Sequence, residues 1–271
     1  MPLTPSHAAV APLLQRLIRP LGIVLPLSAL VVGTMTPDFE YLIRLAPGGG
    51  VWHTRVGLLE FCLPAGLATW LLFRKLIAPA LLRLLPPALG EAAGARVAPG
   101  STLRLIPGAI VAIVIGVISH DFWDSFTHQF GWGVRQLPWL NRRLQTGPHD
   151  WLRYYSILQY ASSILGLVAV IAILWHWVAK QPRGALYVPA GERAWRIREV
   201  SFLLVSAVVG GALNAARPHA PGPVWALGAA AVGGMSALAV ALLAYGIADS
   251  VRRRAQAVML AAPSKAHEAS S

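Results

Sequence analysis

The chain has 271 residues, of which 56% are hydrophobic and only 13% are charged. Soluble domains carry roughly 25% charged residues, so this composition excludes an ordinary water-soluble protein and indicates a membrane protein. The formal net charge is +12. In a membrane protein such an excess of basic residues usually lies in the loops, where it contacts anionic lipid. Nucleic-acid binding is disfavoured, because no run of basic residues alternates with aromatic ones. The single cysteine, Cys62, excludes a disulfide within the chain and a site built from several thiolates.

Six apolar segments predict an all-α fold, a polytopic transmembrane helical bundle of about five to six spans plus short interfacial helices. A span needs roughly 20 apolar residues as helix. Four segments approach that length: residues 56–73, 155–179, 200–216 and 224–247. Residues 21–35 and 106–118 are shorter, and the second of these is expected to continue as helix to about His128. Residues 8–18 predict a short amphipathic helix that ends at a turn before Pro20.

The connecting segments differ in character along the chain. Residues 36–55 contain proline and a glycine triplet, which predict a loop. Residues 74–104 are basic and rich in leucine and proline, and we expect a short interfacial helix there. Residues 129–154 are rich in tryptophan and tyrosine, which favour the headgroup level of a bilayer. Residues 180–199 predict a basic polar loop. Three parts follow: a membrane domain (1–179), the basic loop with a two-helix transmembrane hairpin (180–254) and a flexible tail (255–271).

The basic residues are distributed unevenly between the two ends of the predicted spans. If the five later segments each cross once, loops 36–55, 129–154 and 217–223 share one side and hold seven of the 23 lysines and arginines. The remaining 16 lie on the other side, which the positive-inside rule places in the cytoplasm. The three loops, and any site that they carry, are therefore expected on the extracytoplasmic side.

Ligand-type side chains recur at one spacing in residues 119–128, SHDFWDSFTH. His120, Asp124 and His128 are each four residues apart, so on a helix they form one stripe. Imidazole and carboxylate groups arranged in this way can share one metal ion or two neighbouring ions. The same stripe is compatible with a polar seam that only packs helices together. Either way, ionisable side chains at a membrane boundary are costly and normally face protein or water.

Further ligand-type residues are predicted at the same membrane end. Asp38 follows the helix predicted over residues 21–35, and His53 opens the next span. If residues 8–19 and 21–35 form a helical hairpin, His7 returns to the end that Asp38 occupies. Six residues are then predicted to meet: His7, Asp38, His53, His120, Asp124 and His128.

Two glutamates lie near this predicted cluster. Glu40 follows Asp38 by two residues. Glu60 lies about 20° from His53 on a continuous helix, which would direct both side chains to the same side. Pairing with an arginine is the alternative for Glu60, and a turn or cap is the alternative for Asp38.

Several of these segments together resemble the DUF4184 family of bacterial membrane proteins. The resemblance rests on five stretches: His7, LSALVVGTMTPDFEY at residues 27–41, His53-Thr54, SHDFWDSFTH, and LQYASS at residues 158–163. It covers about residues 1–179. It implies a multi-pass protein of the bacterial inner (cytoplasmic) membrane that contacts membrane lipids.

More distantly, the order His, Pro-Asp, His, HxxxD is similar to that of the YdjM-like membrane-bound metal-dependent hydrolases, zinc-dependent phospholipase C and the P1-type nucleases. That resemblance implies an enzyme that hydrolyses a phosphoester in a lipid or envelope precursor with metal-activated water. The six predicted residues would be the ligands of one or two divalent ions, zinc in the first place and otherwise manganese or iron. The N-terminal Trp ligand of the distant families has no counterpart here, which argues against a three-metal cluster.

Under the hydrolase hypothesis other polar residues take supporting roles. Asp38, Glu60 or Glu40 would accept a proton as a catalytic residue. Three residues are candidates for substrate contact: Arg55, Arg135 and Asp121. The substrate would be a small-molecule or lipid phosphoester, and no nucleic acid is expected as a partner. The alternative is a non-enzymatic membrane scaffold or a transporter, although the internal symmetry common in transporters is not visible in the sequence.

Overall fold

A computed structural model describes residues 3–46, 50–97, 101–144, 152–182, 184–218 and 223–261. Within these ranges the chain forms helices, turns and loops, and no β-strand is present. Five of the described helices are long and apolar enough to cross a membrane: Arg55–Leu84, Thr102–Thr127, Tyr154–Ala179, Ala190–Ala215 and Trp225–Met259. The predictions of an all-α helical bundle and of a multi-pass membrane protein are therefore confirmed.

The described residues form ten α-helices, which we number in chain order. They are α1 (Ala11–Ile18), α2 (Leu27–Met35), α3 (Phe39–Arg44), α4 (Arg55–Leu84), α5 (Pro87–Val97), α6 (Thr102–Thr127), α7 (Trp132–Gln136), α8 (Tyr154–Ala179), α9 (Ala190–Ala215) and α10 (Pro223–Ala261). Short 3-10 turns lie at Thr4–Val10, Arg19–Leu21, Thr36–Asp38, Val51–His53 and Pro138–Asn141. The start of α4, the end of α6 and the start of α8 therefore lie at one end of the spans.

The N-terminal segment folds as a helical hairpin, α1 and α2, as the sequence predicts. Gly22 forms the turn between the two helices with a φ of 73°, a conformation that glycine adopts without strain. α2 has nine residues and is roughly 14 Å long, against a bilayer core of about 30 Å. The apolar residues 21–35 are therefore not a sixth span. The hairpin instead returns the turn Thr4–Val10 to the end of the spans where Asp38 lies.

α2 is buried because α6 approaches it at backbone contact distance. A Cβ atom on Gly33 would lie 2.5 Å from the carbonyl oxygen of Ile113, and one on Gly116 would lie 2.6 Å from the backbone nitrogen of Thr34. Membrane helices use glycine in this way to bring backbones together. Trp70 of α4 is fully buried in the same core. α2 is thus held between α4 and α6, and its position is set by both.

α8 anchors the N-terminus of the chain. The backbone nitrogen of Leu3 donates a hydrogen bond to Ser163 Oγ at 2.9 Å, and Gly166 leaves room for Ser6 against the helix. None of the described residues of α8 is buried. The most extensive contact of α8 is with the turn Thr4–Val10, which carries His7.

The last two helices form a second packing unit. α9 and α10 share a small core with the end of α4, formed by Ala80, Leu203, Ala241 and Tyr245. At the other end of the hairpin, Asn214 Nδ2 donates a hydrogen bond to the carbonyl oxygen of Leu45 at 3.0 Å. α9 and α10 therefore contact the first part of the chain at both ends.

Three connections differ from the sequence-based expectation. Residues 74–84 belong to α4 rather than to an interfacial segment, and only Pro87–Val97 forms a separate helix. Residues 190–199 are the first turns of α9 rather than loop, and residues 255–261 continue α10 rather than being loose. The rest of the predicted tail, 262–271, lies outside the described residues. Hydropathy made these helices too short, because it penalises charged side chains, several of which pair with one another here.

Candidate metal centre

The ends of α2, α4 and α6 bring acidic and imidazole side chains to one point. Asp38 comes from the turn after α2, His53 from the turn before α4, and His120 and Asp124 from the last two turns of α6. One ligand atom from each of these four residues lies within 4.8 Å of the others. His53 is half-buried and the other three are buried. We call Asp38, His53, His120 and Asp124 the four-residue cluster.

The nitrogen and oxygen atoms of the cluster face one another at a narrow range of separations. His120 Nε2 lies 3.5 Å from Asp38 Oδ1 and 3.4 Å from Asp124 Oδ2. His53 Nε2 lies 3.6 Å from Asp38 Oδ1. These pairs are not hydrogen bonds of normal geometry. They suit neighbouring ligands of a tetrahedral metal ion, because bonds of about 2.0–2.1 Å place such ligand atoms roughly 3.3–3.4 Å apart.

Buried polar atoms without a hydrogen-bond partner concentrate at this point. In the described part of the chain there are ten such side-chain atoms, and eight of them belong to the cluster and its neighbours. They are His7 Nε2, Asp38 Oδ1, His53 Nδ1 and Nε2, His120 Nε2, Asp121 Oδ1 and both carboxylate oxygens of Asp124. Each unsatisfied buried group costs roughly 1–3 kcal/mol. The cluster can hold a metal ion, which would satisfy several of these atoms at once.

Hydrogen bonds behind the cluster orient two of its members. His120 Nδ1 lies 2.8 Å from the carbonyl oxygen of Thr34, so Nδ1 carries the proton and Nε2 presents its lone pair to the cluster. The Thr4 hydroxyl donates to Asp38 Oδ2 at 2.6 Å, and Oδ1 of the same carboxylate faces the imidazoles. Partners of this kind fix the orientation and tautomer of metal ligands. Sequence reasoning missed both residues; Thr34 acts through its backbone, which leaves no sequence signal.

The two other predicted ligands lie beside the four-residue cluster. His7 stacks on His120 with ring centroids 4.0 Å apart, and its Nε2 lies 3.5 Å from Asp124 Oδ1. Burial lowers the pKa of His7 to about 4, so its imidazole is neutral at neutral pH. His128 Nδ1 lies 2.9 Å from the backbone carbonyl oxygen of Asp124. Because α6 ends at Thr127 and His128 is extended, the stripe predicted on one helix is reduced to His120 and Asp124.

Glu40 is engaged outside the cluster. Its Oε1 pairs with Arg44 Nη1 at 2.9 Å, and its Oε2 accepts a hydrogen bond from the backbone nitrogen of Trp52 at 3.4 Å. These contacts link α3 to the turn that carries His53. Glu40 therefore supports the shape of the site, and it is not one of the four residues whose ligand atoms converge.

Glu60 also lies outside the group of four and is exposed. The expectation that it points with His53 assumed one continuous helix from His53 onwards. Instead Thr54 is the N-cap of α4, and its side chain accepts a hydrogen bond from the backbone nitrogen of Gly57. A π-helical turn then follows at Leu58–Cys62 and changes the angular phase of the residues. The spacing of seven residues therefore carries no directional information here.

The three predicted substrate contacts fall into two kinds. Asp121 adjoins the cluster, with its Oδ1 buried and without a partner, and it interacts electrostatically with His120 and His53. Arg55 and Arg135 are exposed.

The cluster is accessible from the end of the spans where α4 begins and α6 ends. The side chains of His53 and His128, which lie at that end, are 19% and 39% exposed. Exposed aromatic residues lie on the segments that follow α6: Phe130, Trp132, Trp139 and Tyr154.

Comparison with known proteins identifies the family of this chain. It belongs to the family described as domain of unknown function (DUF4184), whose model matches residues 1–247. The resemblance seen in the sequence covers about residues 1–179. The family model extends further, through α9 and much of α10. No curated protein and no solved structure matches the chain, so the distant resemblance to hydrolases is not confirmed. The chemistry of the site is inferred from its geometry.

Proposed function

We propose that this member of the DUF4184 family is a membrane-embedded, metal-dependent hydrolase that cleaves a phosphoester of a lipid or envelope precursor. The observation that carries the proposal is the set of buried ligand atoms in the four-residue cluster, which face one another at 3.4–3.6 Å without hydrogen bonds. We assign zinc as the ion, because two imidazoles and two carboxylates suit it and the three closest pairs have the spacing of tetrahedral ligands. Manganese and iron take similar ligands and are the alternatives.

A polar seam that only joins helices fits these atoms less well. Polar side chains between membrane helices normally hydrogen-bond one another. Trp70 does so elsewhere in this protein, donating from Nε1 to Ser28 Oγ at 3.1 Å. The facing atoms of the cluster have no such bonds, and they occupy one end of the spans rather than a long interface. A site that an external cation completes accounts for both features.

The protein's own side chains would hold the ion and define its surroundings. Asp38, His53, His120 and Asp124 are the proposed ligands, and His7 is placed to contact the second oxygen of Asp124. A bound divalent ion supplies Lewis acidity to a water molecule and to a phosphoryl oxygen. The fixed Nδ1 proton of His120 keeps Nε2 free for binding.

Proton transfer from the attacking water needs a further carboxylate. We assign this role to Asp121, because its Oδ1 is buried beside the cluster and is not used in any hydrogen bond. Glu40 is already paired with Arg44, and Glu60 is exposed on the π-helical turn. Neither glutamate is assigned a catalytic role.

The surroundings of the cluster favour a phosphorylated amphiphile as substrate. Arg55 and Arg135 are exposed, and we assign to them the role of neutralising a phosphate group. Aromatic side chains such as Trp132 and Trp139 are about half exposed, which suits the headgroup level of a bilayer. On the distribution of basic loops, we propose that the site faces the extracytoplasmic side of the inner membrane.

The test measures metal content and phosphoester hydrolysis on the same purified protein. Protein prepared with metals supplied and without chelators should contain about one zinc ion per chain by inductively coupled plasma mass spectrometry. The substrate probes are bis(p-nitrophenyl) phosphate and a phosphatidic acid or diphosphate lipid. We expect Asp124→Ala to lose both metal and hydrolysis.

Asp121→Asn is the matched variant, since it changes a neighbouring carboxylate outside the ligand group. It should keep the metal and lose hydrolysis by at least about 100-fold. Fully metallated protein that hydrolyses none of the probes would overturn the hydrolase proposal but not the metal site. Wild-type protein that binds no zinc, manganese or iron would overturn both.

A further inference from the structure

A groove lies at the opposite end of the spans from the metal centre, where α4 ends and α9 begins. Its volume is about 480 Å³. One wall is formed by α9 and the other by the end of α4 and the segment that precedes α9. Lining residues include Leu84, Tyr187, Arg193, Ile197, Val200 and Ser201.

The α9 wall changes from basic to apolar along its length. Arg193, Ile197 and Ser201 are spaced four residues apart, with Val200 on the same side, so one face of α9 lines the groove. Arg193 belongs to the charged first turns of the helix, and Val200 begins its apolar remainder. Ile197 is 66% exposed. The groove therefore crosses the boundary between the polar and the apolar part of a membrane-spanning helix.

The charges that line this groove are positive. Arg193 Nε donates to the carbonyl oxygen of Val188 at 3.2 Å, and within the described residues no carboxylate pairs with Arg193. The second basic lining residue, Arg196, is buried and is paired with Glu192. Arg193 thus offers an uncompensated guanidinium, with at least its two terminal nitrogens available to an anion.

A neighbouring groove has a lining in which the charges balance. It is of similar volume, about 470 Å³, and it shares Arg196 with the first groove. Its lining also contains Glu91 and Glu192, which offset its two arginines, Arg83 and Arg196. We therefore expect anion binding in the first groove and not in this one.

We propose that the Arg193 groove binds an anionic phospholipid, with the phosphate against Arg193 and an acyl chain along Ile197 and Val200. The uncompensated charge fits a phosphate, and the exposed apolar side chains fit hydrocarbon, so one amphiphile uses both parts of the wall. Basic residues at the membrane end of a helix recognise headgroups in this way. The groove is remote from the metal centre, so either proposal can fail without the other.

The experiment titrates the full-length protein in neutral detergent with phosphatidylglycerol or phosphatidylcholine and counts bound lipids by native mass spectrometry. Wild-type protein should bind phosphatidylglycerol several-fold more tightly than phosphatidylcholine. Arg193→Gln should lower the affinity for phosphatidylglycerol about five-fold, the effect of one basic residue at a membrane surface. Its affinity for phosphatidylcholine should not change.

Arg254→Gln is the matched control. Arg254 is exposed on α10 at the same end of the spans, and it forms no ion pair within the described part of the chain. Its substitution removes the same charge but should leave phosphatidylglycerol affinity within two-fold of wild type. Equal losses in Arg193→Gln and Arg254→Gln, or equal binding of both lipids by the wild type, would overturn the proposal.

Ser201→Trp keeps the test decisive if Arg193→Gln does not fold. This substitution fills the apolar part of the groove from an exposed position and alters no charge. It should weaken phosphatidylglycerol binding at least as much as Arg193→Gln, with an unchanged thermal unfolding midpoint. Unaltered lipid binding in folded Ser201→Trp would rule out this groove.

Discussion

Buried aspartates occur at both ends of the spans, but their partners differ. At the candidate metal centre, Asp38 and Asp124 face imidazole nitrogens at 3.4–3.6 Å and make no hydrogen bond to them. At the opposite end, Asp249 of α10 accepts hydrogen bonds from Arg83 at 2.8 Å and from Arg253 at 2.9 Å. Both regions are polar and both lie between helices, yet only the second is complete with protein groups alone.

The contrast follows from the chemistry of the two cationic side chains. Arginine is always charged and its donors match a carboxylate, so Asp249 is neutralised within the protein. Imidazole binds a metal in its neutral form, so histidine ligands leave two aspartate charges uncompensated. A divalent cation bound between them would supply that missing charge. Buried aspartates therefore belong to a structural network at one end and to a candidate ligand site at the other.

The largest expected effect is on the stabilisation of the fold by zinc at the candidate metal centre. In wild-type protein, zinc at about 1,000 times its dissociation constant should stabilise the fold by about 4 kcal/mol. Asp124→Ala should abolish this stabilisation, because it removes both carboxylate oxygens that face the histidines. Thermal unfolding in detergent, with and without zinc, measures the difference. An equal zinc effect in wild type and Asp124→Ala would contradict the assigned ligand set.

The second prediction concerns substitution of the buried aspartate at the other end of the spans, Asp249. Asp249→Asn should cost about 2 kcal/mol of folding free energy, less than a fully buried pair, because Arg83 and Arg253 still reach solvent. Metal content should stay at the wild-type level. Chemical denaturation and metal analysis of the same sample test both statements. Loss of metal in Asp249→Asn would show that the two regions are coupled.

A smaller effect is expected from the residue that orients Asp38. Thr4→Val removes the hydroxyl that donates to Asp38 Oδ2, and it should lower metal affinity about ten-fold. Competition with a chelator of known affinity measures this change. Thr54→Val is the control: it removes the N-cap of α4 and should cost about 1 kcal/mol of stability without a comparable loss of affinity.

The smallest effect is expected at the rim of the site. Glu40→Gln breaks the pair with the half-exposed Arg44, which should change stability by less than about 1 kcal/mol. Metal content and any phosphoester hydrolysis should be preserved. A ten-fold loss of hydrolysis in fully metallated Glu40→Gln would make Glu40, rather than Asp121, the proton acceptor.

The sequence predicted the relative positions of site residues correctly where those residues are close together on one regular helix. The spacing of His120 and Asp124 placed both on one face of α6, and a spacing of four residues on a helix is a reliable relation. It failed for Glu60, because the helix begins only after His53 and then contains a π-helical turn. It also placed His128 on the helix, which ends one residue earlier.

Composition and hydropathy alone determined that this chain is a helical membrane protein, because the apolar length needed to span a bilayer is a local property. Segment order also placed Asp38 and His53 at one end of the spans. Only the tertiary structure decided which atoms face each other. The bond from His120 to Thr34 joins residues 86 positions apart, and it depends on how closely the glycines let α2 approach α6. That approach is a property of packed backbones, which no single segment specifies.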